Sequence, residues 1–379
     1  MIFARIFPLV WGLLFTGPNW EFTGKIILIL ANESMKPLAL KIIAPALVLL
    51  LASSTFSWGQ GRDRGVMKVE FLYSIESTGG RGEKLQSPQD IFFDRKSQEL
   101  YVADAGTGKI YVFNASGGFL QEIMVDKVAG SPTMVATDAE GRIYVGHNRS
   151  AKISVLSFRG ESLDVLELPG IVDLPSNQVR PWLFTLGPDG RVITLKTQGG
   201  LVKMDPFGEK HEEIRLSGEN APNQIYGMAV DAKGRYLFSD MRPYSVVVYD
   251  PVQGTYQRFG SPGVIYGQLA RPQGIAADEA GHIFVVSLVR NNVLCYDANG
   301  NFIEEFGGIG ETYGKFYMPS RIVSDGKDRL YVLEPSLKRV QVFRVSFRGE
   351  EKTQLDVLAQ KGTTEVFNSM KGGESPPER

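Results

Sequence analysis

One unit of sequence recurs six times between residues 88 and 345, and no other property of the chain restricts its fold as strongly. The first copy reads Pro88-Gln-Asp-Ile-Phe-Phe-Asp94, Leu100-Tyr-Val-Ala-Asp104, Lys109-Ile-Tyr-Val-Phe-Asn114 and Gly117-Gly-Phe119. The fifth reads Pro272-Gln-Gly-Ile-Ala-Ala-Asp278, Gly281-His-Ile-Phe-Val285, Asn292-Val-Leu-Cys-Tyr-Asp297 and Asn299-Gly-Asn-Phe302. Each copy has a short apolar strand, a polar or Gly turn, a β-branched and aromatic strand, then another alternating strand and a Gly turn. Equivalent positions at the start of the second strand are Leu100, Ile143, Val192, Tyr236, Ile283 and Leu330, so the period runs from 43 to 49 residues. That length suits a four-stranded blade, which buries its faces only by stacking on its neighbours. The repeat therefore predicts an all-β chain folded as one six-bladed β-propeller of four-stranded antiparallel blades over residues 66–359.

The wording of the copies resembles the NHL repeat. Pro272-Gln-Gly-Ile-Ala, Tyr101-Val-Ala-Asp104, Lys109-Ile-Tyr-Val-Phe and Asn299-Gly-Asn-Phe302 are similar to successive parts of that family's unit, and the likeness covers about residues 66 to 348. The third copy departs furthest: Pro181 to Gly187 and Arg191 to Lys196 keep the spacing and lose the Tyr-Val-Ala-Asp wording. No copy carries the Trp-Asp ending of a WD repeat.

A ring of blades needs its first and last members joined, or both expose unpaired strand edges. Val69 to Ile75 alternates as a strand, and Gly79-Gly-Arg-Gly82 then leads to Pro88 as Phe306-Gly-Gly-Ile-Gly310 leads to Pro319. Residues 69–75 thus read as the outer strand of the sixth blade, an N-terminal strand closing the ring. Residues 349–358 are the competing source of that strand.

Ahead of the repeats, Met35-Lys-Pro-Leu-Ala-Leu-Lys41, an apolar run from Ile42 to Ala52, and then Ser53, Ser54, Thr55 and Ser57 follow the order of a secretory signal peptide. The run is shorter than the roughly 20 apolar residues of a membrane-spanning helix. Residues 35–60 are therefore expected to be a signal peptide, with translation starting at Met35 and residues 1–34 a non-native extension. An uncleaved anchor is the alternative, since the chain before Met35 is also apolar. No cysteine stands directly after the run, which removes a lipid-anchored start, and Cys295 is the only one in the chain, so the fold is held by its core without an internal disulfide. These features predict an exported monomer, periplasmic or extracellular, without stable membrane insertion once the signal is cleaved. The tail, residues 360–379, is rich in Gly, Ser, Pro and charge and is expected to be disordered.

In a propeller the first strands line the central channel, and the turns between second and third strands share a face with the inter-blade linkers. Two residues after each blade-opening position stand Asp90, Met134, Leu183, Gly227, Gly274 and Arg321. Blades one and six are neighbours in a closed ring, so Asp90 and Arg321 are expected to meet at the channel mouth, either as a recognition point or as a structural ion pair. The ends of the second strands supply Asp104, His147, Lys196, Asp240, Ser287 and Glu334, and nearby turns add Arg149, Arg242, Arg290 and Lys338. This mixed-sign set fits a protein, peptide or glycan ligand, or alternatively is a set of ordinary solvated turn residues.

Balanced charge, 41 basic against 42 acidic side chains, removes the attraction on which nucleic-acid binding depends. Resemblance to metal-holding propellers implies a competing function, a divalent-metal-dependent lactonase or lyase with its site at the channel. The register puts His147, His211 and His282 on different parts of their blades, which opposes a tetrahedral zinc site. Ca²⁺ on Asp104, Asp240 and Glu334 needs only oxygen ligands and stays open, although no cofactor is expected. Cys295 lies in a third strand at the register of Val112, Val155, Val248 and Val342, as a small buried apolar residue does. No Gly-x-Ser-x-Gly elbow or phosphate loop is present. The leading expectation is a non-enzymatic binding scaffold.

Overall fold

The structure, a computed structural model, describes residues 67–79, 82–125, 130–150, 152–167, 183–195 and 200–347. The expected signal peptide, the extension before it, the tail, the alternative strand 349–358 and Lys196 all lie outside these residues.

Six four-stranded antiparallel sheets follow one another as blades of a β-propeller, and no α-helix occurs among the described residues. The inner strands are Pro88–Asp94, Pro132–Thr137, Phe184–Leu186, Ile225–Val230, Pro272–Ala277 and Arg321–Ser324. Each touches the next around the ring, and the sixth touches the first. Three open on proline, which has no N–H to donate and is tolerated at a first strand position. In five blades the chain runs outward through four consecutive strands; in the sixth, Arg321–Ser324, Arg329–Glu334 and Arg339–Phe347 are joined by Met67–Ile75 as the outermost strand. That pairing is antiparallel from Met67 opposite Phe347 to Ile75 opposite Val340.

Second and third strands are apolar without alternation because both faces of each blade are covered by its neighbours. Ile283–Ser287 and Asn292–Tyr296 are buried at every position. Outer strands have one neighbour fewer and turn polar, as in His211–Ile214. The core accordingly lies between blades. One cluster joins Ile91, Leu100 and Tyr111 of blade one to Tyr331, Leu333 and Val340 of blade six and to Ile75; another joins Ala276, Phe284 and Cys295 of blade five to Val332, Phe343 and Val345. Cys295 is fully buried there, and burial pushes its thiol well above the ordinary range.

At one end of the ring there is little room. A Cβ on Gly227 would lie 2.2 Å from the carbonyl oxygen of Gln273, and one on Gly274 would lie 2.8 Å from Cα of Arg321. Glycine at these two ring positions lets the inner strands of blades four, five and six approach each other. The pairing register also shifts at the start of four inner strands, between Pro88 and Asp90, Pro132 and Met134, Ile225 and Gly227, and Pro272 and Ile275. Such bulges re-aim the side chains that follow them.

Candidate functional site

Asp90 and Arg321 meet as the ring order requires. Arg321 Nε lies 3.1 Å from Asp90 Oδ1, and the amide of Val135 in blade two donates to Asp90 Oδ2 at 3.1 Å. Arg321 Nη1 reaches further, to the carbonyl of Tyr226 in blade four, at 3.2 Å. Four blades are thus tied at one end of the channel. Asp90 is 8% exposed, and burial raises its carboxyl from the ordinary 3.8 to about 6, against the opposing pull of Arg321 and the Val135 amide.

This shift carries a sign. A carboxyl that holds its proton more tightly when folded makes the folded state lose stability as pH rises through about 6, and gain it as pH falls towards 4. Raising this carboxyl from 3.8 to about 6 corresponds to ~3 kcal/mol. The stability difference between the wild type and Asp90→Asn, from denaturant titrations at pH 4 to 7.5, should therefore grow in the wild type's favour by up to ~3 kcal/mol as pH falls. A pH-independent difference would show that Asp90 does not titrate in this window.

The ring of second-strand ends turns out differently from its reading as a ligand face. Asp104, Asp240, Ser287 and Glu334 are completely buried, and His147 nearly so. Their polar atoms hold the linker that enters their own blade. Asp104 accepts the amides of Gln86 and Ser87 at 2.7 and 2.9 Å, and those of Gly106 and Thr107 at 2.9 and 3.2 Å. Asp240 accepts the amides of Asn223 and Gln224 at 3.0 and 2.8 Å and Arg258 Nη1 at 2.9 Å. Glu334 accepts the amide of Tyr317, Arg339 Nε and Gln341 Nε2, each at 2.7 Å. His147 bonds the carbonyl of Gly130 through Nδ1 and the Ser154 hydroxyl through Nε2. Blades one, four and six fasten their entries this way because buried linker amides must find acceptors. Asp104, Asp240 and Glu334 occupy separate blades, and no metal-holding group of three or more His, Cys, Asp or Glu occurs among the described residues. The three are not brought together as a Ca²⁺ ligand set.

The basic turn residues divide. Arg149 and Arg242 are exposed. Arg290 is drawn into structure: its guanidinium grips Glu305 at 2.6 and 2.5 Å and the carbonyl of Gln268 at 3.0 Å. The next residue, Asn291, accepts the Met318 amide on its side chain at 2.7 Å and the Gly308 amide on its carbonyl at 2.7 Å. Arg290 and Asn291 thus fasten three loops over blade five: the loop 261–269, the turn 288–291 and the linker 308–318.

Those loops carry what the charged-ring expectation missed. Val264, Ile265 and Tyr266 in the loop 261–269, Val289 in the turn, and Ile309 and Met318 in the linker are all exposed. The loop 261–269 is held by a short parallel pairing of Ser261–Pro262 with Gln268–Leu269, by a bond from the Tyr266 hydroxyl to Glu304, and by an edge contact of Tyr266 with Phe302. The signal was present in the sequence, because Gly260-Ser-Pro-Gly-Val-Ile-Tyr-Gly267 puts three large apolar residues in a turn that should be polar.

Comparison with known proteins adds the fold. No protein-family model matches the chain, and no curated protein matches it. Among solved structures, it is similar to a structural genomics protein of unknown function from Bacteroides thetaiotaomicron, with a TM-score of 0.57, 12% identity, and coverage of 74% of this chain and 76% of that one. It is also similar to virginiamycin B lyase from Staphylococcus aureus, with a TM-score of 0.52, 14% identity, and coverage of 73% and 99%. The chain is a six-bladed β-propeller. At these identities the likeness bears on the fold alone.

Proposed function

We propose that this chain is an exported propeller, related in its repeat wording to NHL proteins, that binds a protein or peptide partner through the loops over blade five. The observation that carries this reading is the set of exposed apolar side chains, Val264, Ile265, Tyr266, Val289, Ile309 and Met318, on three loops tied together by Arg290 and Asn291. Solvent-facing apolar residues gathered on fixed loops are a feature of protein-binding surfaces. Loops already ordered lose little entropy when a partner docks. The signal-like order from Met35 to Ser57 supports export. The repeat supports the NHL relation through Pro272-Gln-Gly-Ile-Ala and Lys109-Ile-Tyr-Val-Phe.

The test compares surfaces on the folded protein. A partner recovered from native envelope with the wild type is titrated against the double variant Ile265→Asp/Val289→Asp and against Arg149→Ala/Arg242→Ala. The apolar variant should lose roughly 30-fold in affinity, as for a hot spot of ~2 kcal/mol, while the arginine variant changes little. Equal binding by wild type and the apolar variant would place the partner elsewhere.

A further inference from the structure

The six inner strands enclose a channel of about 350 Å³. That is room for roughly a dozen waters at ~30 Å³ each, and it falls within the range of small-molecule pockets, ~300–1,000 Å³. The Asp90–Arg321 pair, with its extension to Tyr226, crosses one end, where Gly227 and Gly274 bring three blades together. The lining continues from there to Asp94, Ala139, Pro188 and Ala232 at the first turns, on the opposite face from the blade-five loops. Four residues of strand separate Asp90 from Asp94, a depth of ~13 Å at ~3.3 Å per residue. Between the ends the wall is largely apolar, with Phe92, Leu186, Met228, Val230 and Val323.

One observation at the first-turn end bears on what enters. Around the same opening stand Arg95 and Lys96, whose side chains lie across it on backbone carbonyls of other blades: Arg95 Nη2 on Ala277 at 2.8 Å and Lys96 Nζ on Ala139 at 2.6 Å. The acids at this level are already engaged. Asp138 and Asp231 hold Arg142 and Arg235 at 2.6 and 2.7 Å, and Asp94 Oδ1 accepts the amides of Lys96 and Ser97. Glu279, exposed, stands beside Arg95 across Gly326. A cation resting on a carbonyl gains more from a carboxylate, since ionised acceptors make the stronger bonds.

We propose that the channel is a second site, separate from the blade-five loops, that takes a small carboxylate with an apolar body. The carboxylate sits at the first-turn mouth between Lys96 and Arg95, and the body lies along the inner strands towards the Asp90–Arg321 pair. The site is independent of the loop face, so either can fail without the other.

Calorimetric titration of the full-length protein tests this with octanoate, octanol and octylammonium as probes. Octanoate should bind, and the other two should bind at least tenfold more weakly. Arg95→Ala/Lys96→Ala should weaken octanoate at least tenfold while leaving capture of a protein partner unchanged. Three outcomes would overturn the proposal: no binding of octanoate, equal binding of octanol, or full binding by the Arg95/Lys96 variant.

Discussion

A chain from which Met67–Ile75 has been deleted should yield no stable folded monomer. This strand pairs from Val340 to Phe347 with the third strand of blade six, Arg339–Phe347. Ile75 is buried with Leu85, Ile91, Tyr331 and Val340, and Phe71 packs edge-on against Phe343 at 5.8 Å and stacks on Tyr313 at 5.0 Å. The Tyr73 hydroxyl reaches into blade one and donates to the carbonyl of Ala115 at 2.6 Å. Removing one large core side chain costs ~2–5 kcal/mol, and the deletion removes several from a fold whose whole stability is of the order of 5–15 kcal/mol. It would also leave Arg339–Phe347 as an apolar edge open to other chains. The expected result is loss of the soluble monomer in size-exclusion chromatography, with partial recovery when a peptide of residues 67–75 is supplied during refolding. An unchanged melting temperature would mean that another segment completes the blade.

Glu334→Ala should be the most damaging single substitution among the second-strand acids. Its carboxylate is inaccessible to water and meets the Tyr317 amide, Arg339 and Gln341 together. Alanine strands the Arg339 guanidinium, itself only 6% exposed, without its counter-charge. Breaking one side of a buried ion pair costs ~3–5 kcal/mol, or a fall in melting temperature of roughly 10 °C for a domain of this size. Arg149→Ala, at an exposed turn, should stay within about 0.5 kcal/mol of wild type. Pairing Glu334→Ala with Arg339→Met should restore part of the loss, because an apolar replacement removes the stranded charge. If Glu334→Ala melts like the wild type, the carboxylate does not carry the linker, and its reading as a ligand contact returns.

The fold was legible because a propeller writes its packing into every copy. Both faces of each central strand are covered, so Tyr101-Val-Ala and Ile110-Tyr-Val-Phe must be apolar throughout, and six spaced repetitions leave few other architectures. The approach of Asp90 and Arg321 was legible for a similar reason, since ring order alone makes blades one and six neighbours. Blade three, with an inner strand reduced to Phe184–Leu186, is also the copy whose wording strays furthest. The roles of Asp104, Asp240 and Glu334 were not legible. An acid at a strand end looks the same whether it faces a ligand or the amides of a linker folded over it; depth distinguishes the two, and depth depends on where that linker runs. Arg290 shows the same limit, because its partner Glu305 lies on a different strand and its second partner, Gln268, on a loop.

Repeat proteins ordinarily behave as chains of neighbours, in which a weak unit can open while the rest stand. The bonds around Arg321 do not follow that nearest-neighbour order. From blade six the guanidinium reaches blade one through Asp90 and blade four through Tyr226, and Asp90 in turn holds blade two. Opening any one of these blades therefore disturbs a knot shared with the others. Unlike a solenoid, this ring should come apart as one cooperative unit, with the unfolding of a single blade felt on the far side of the molecule.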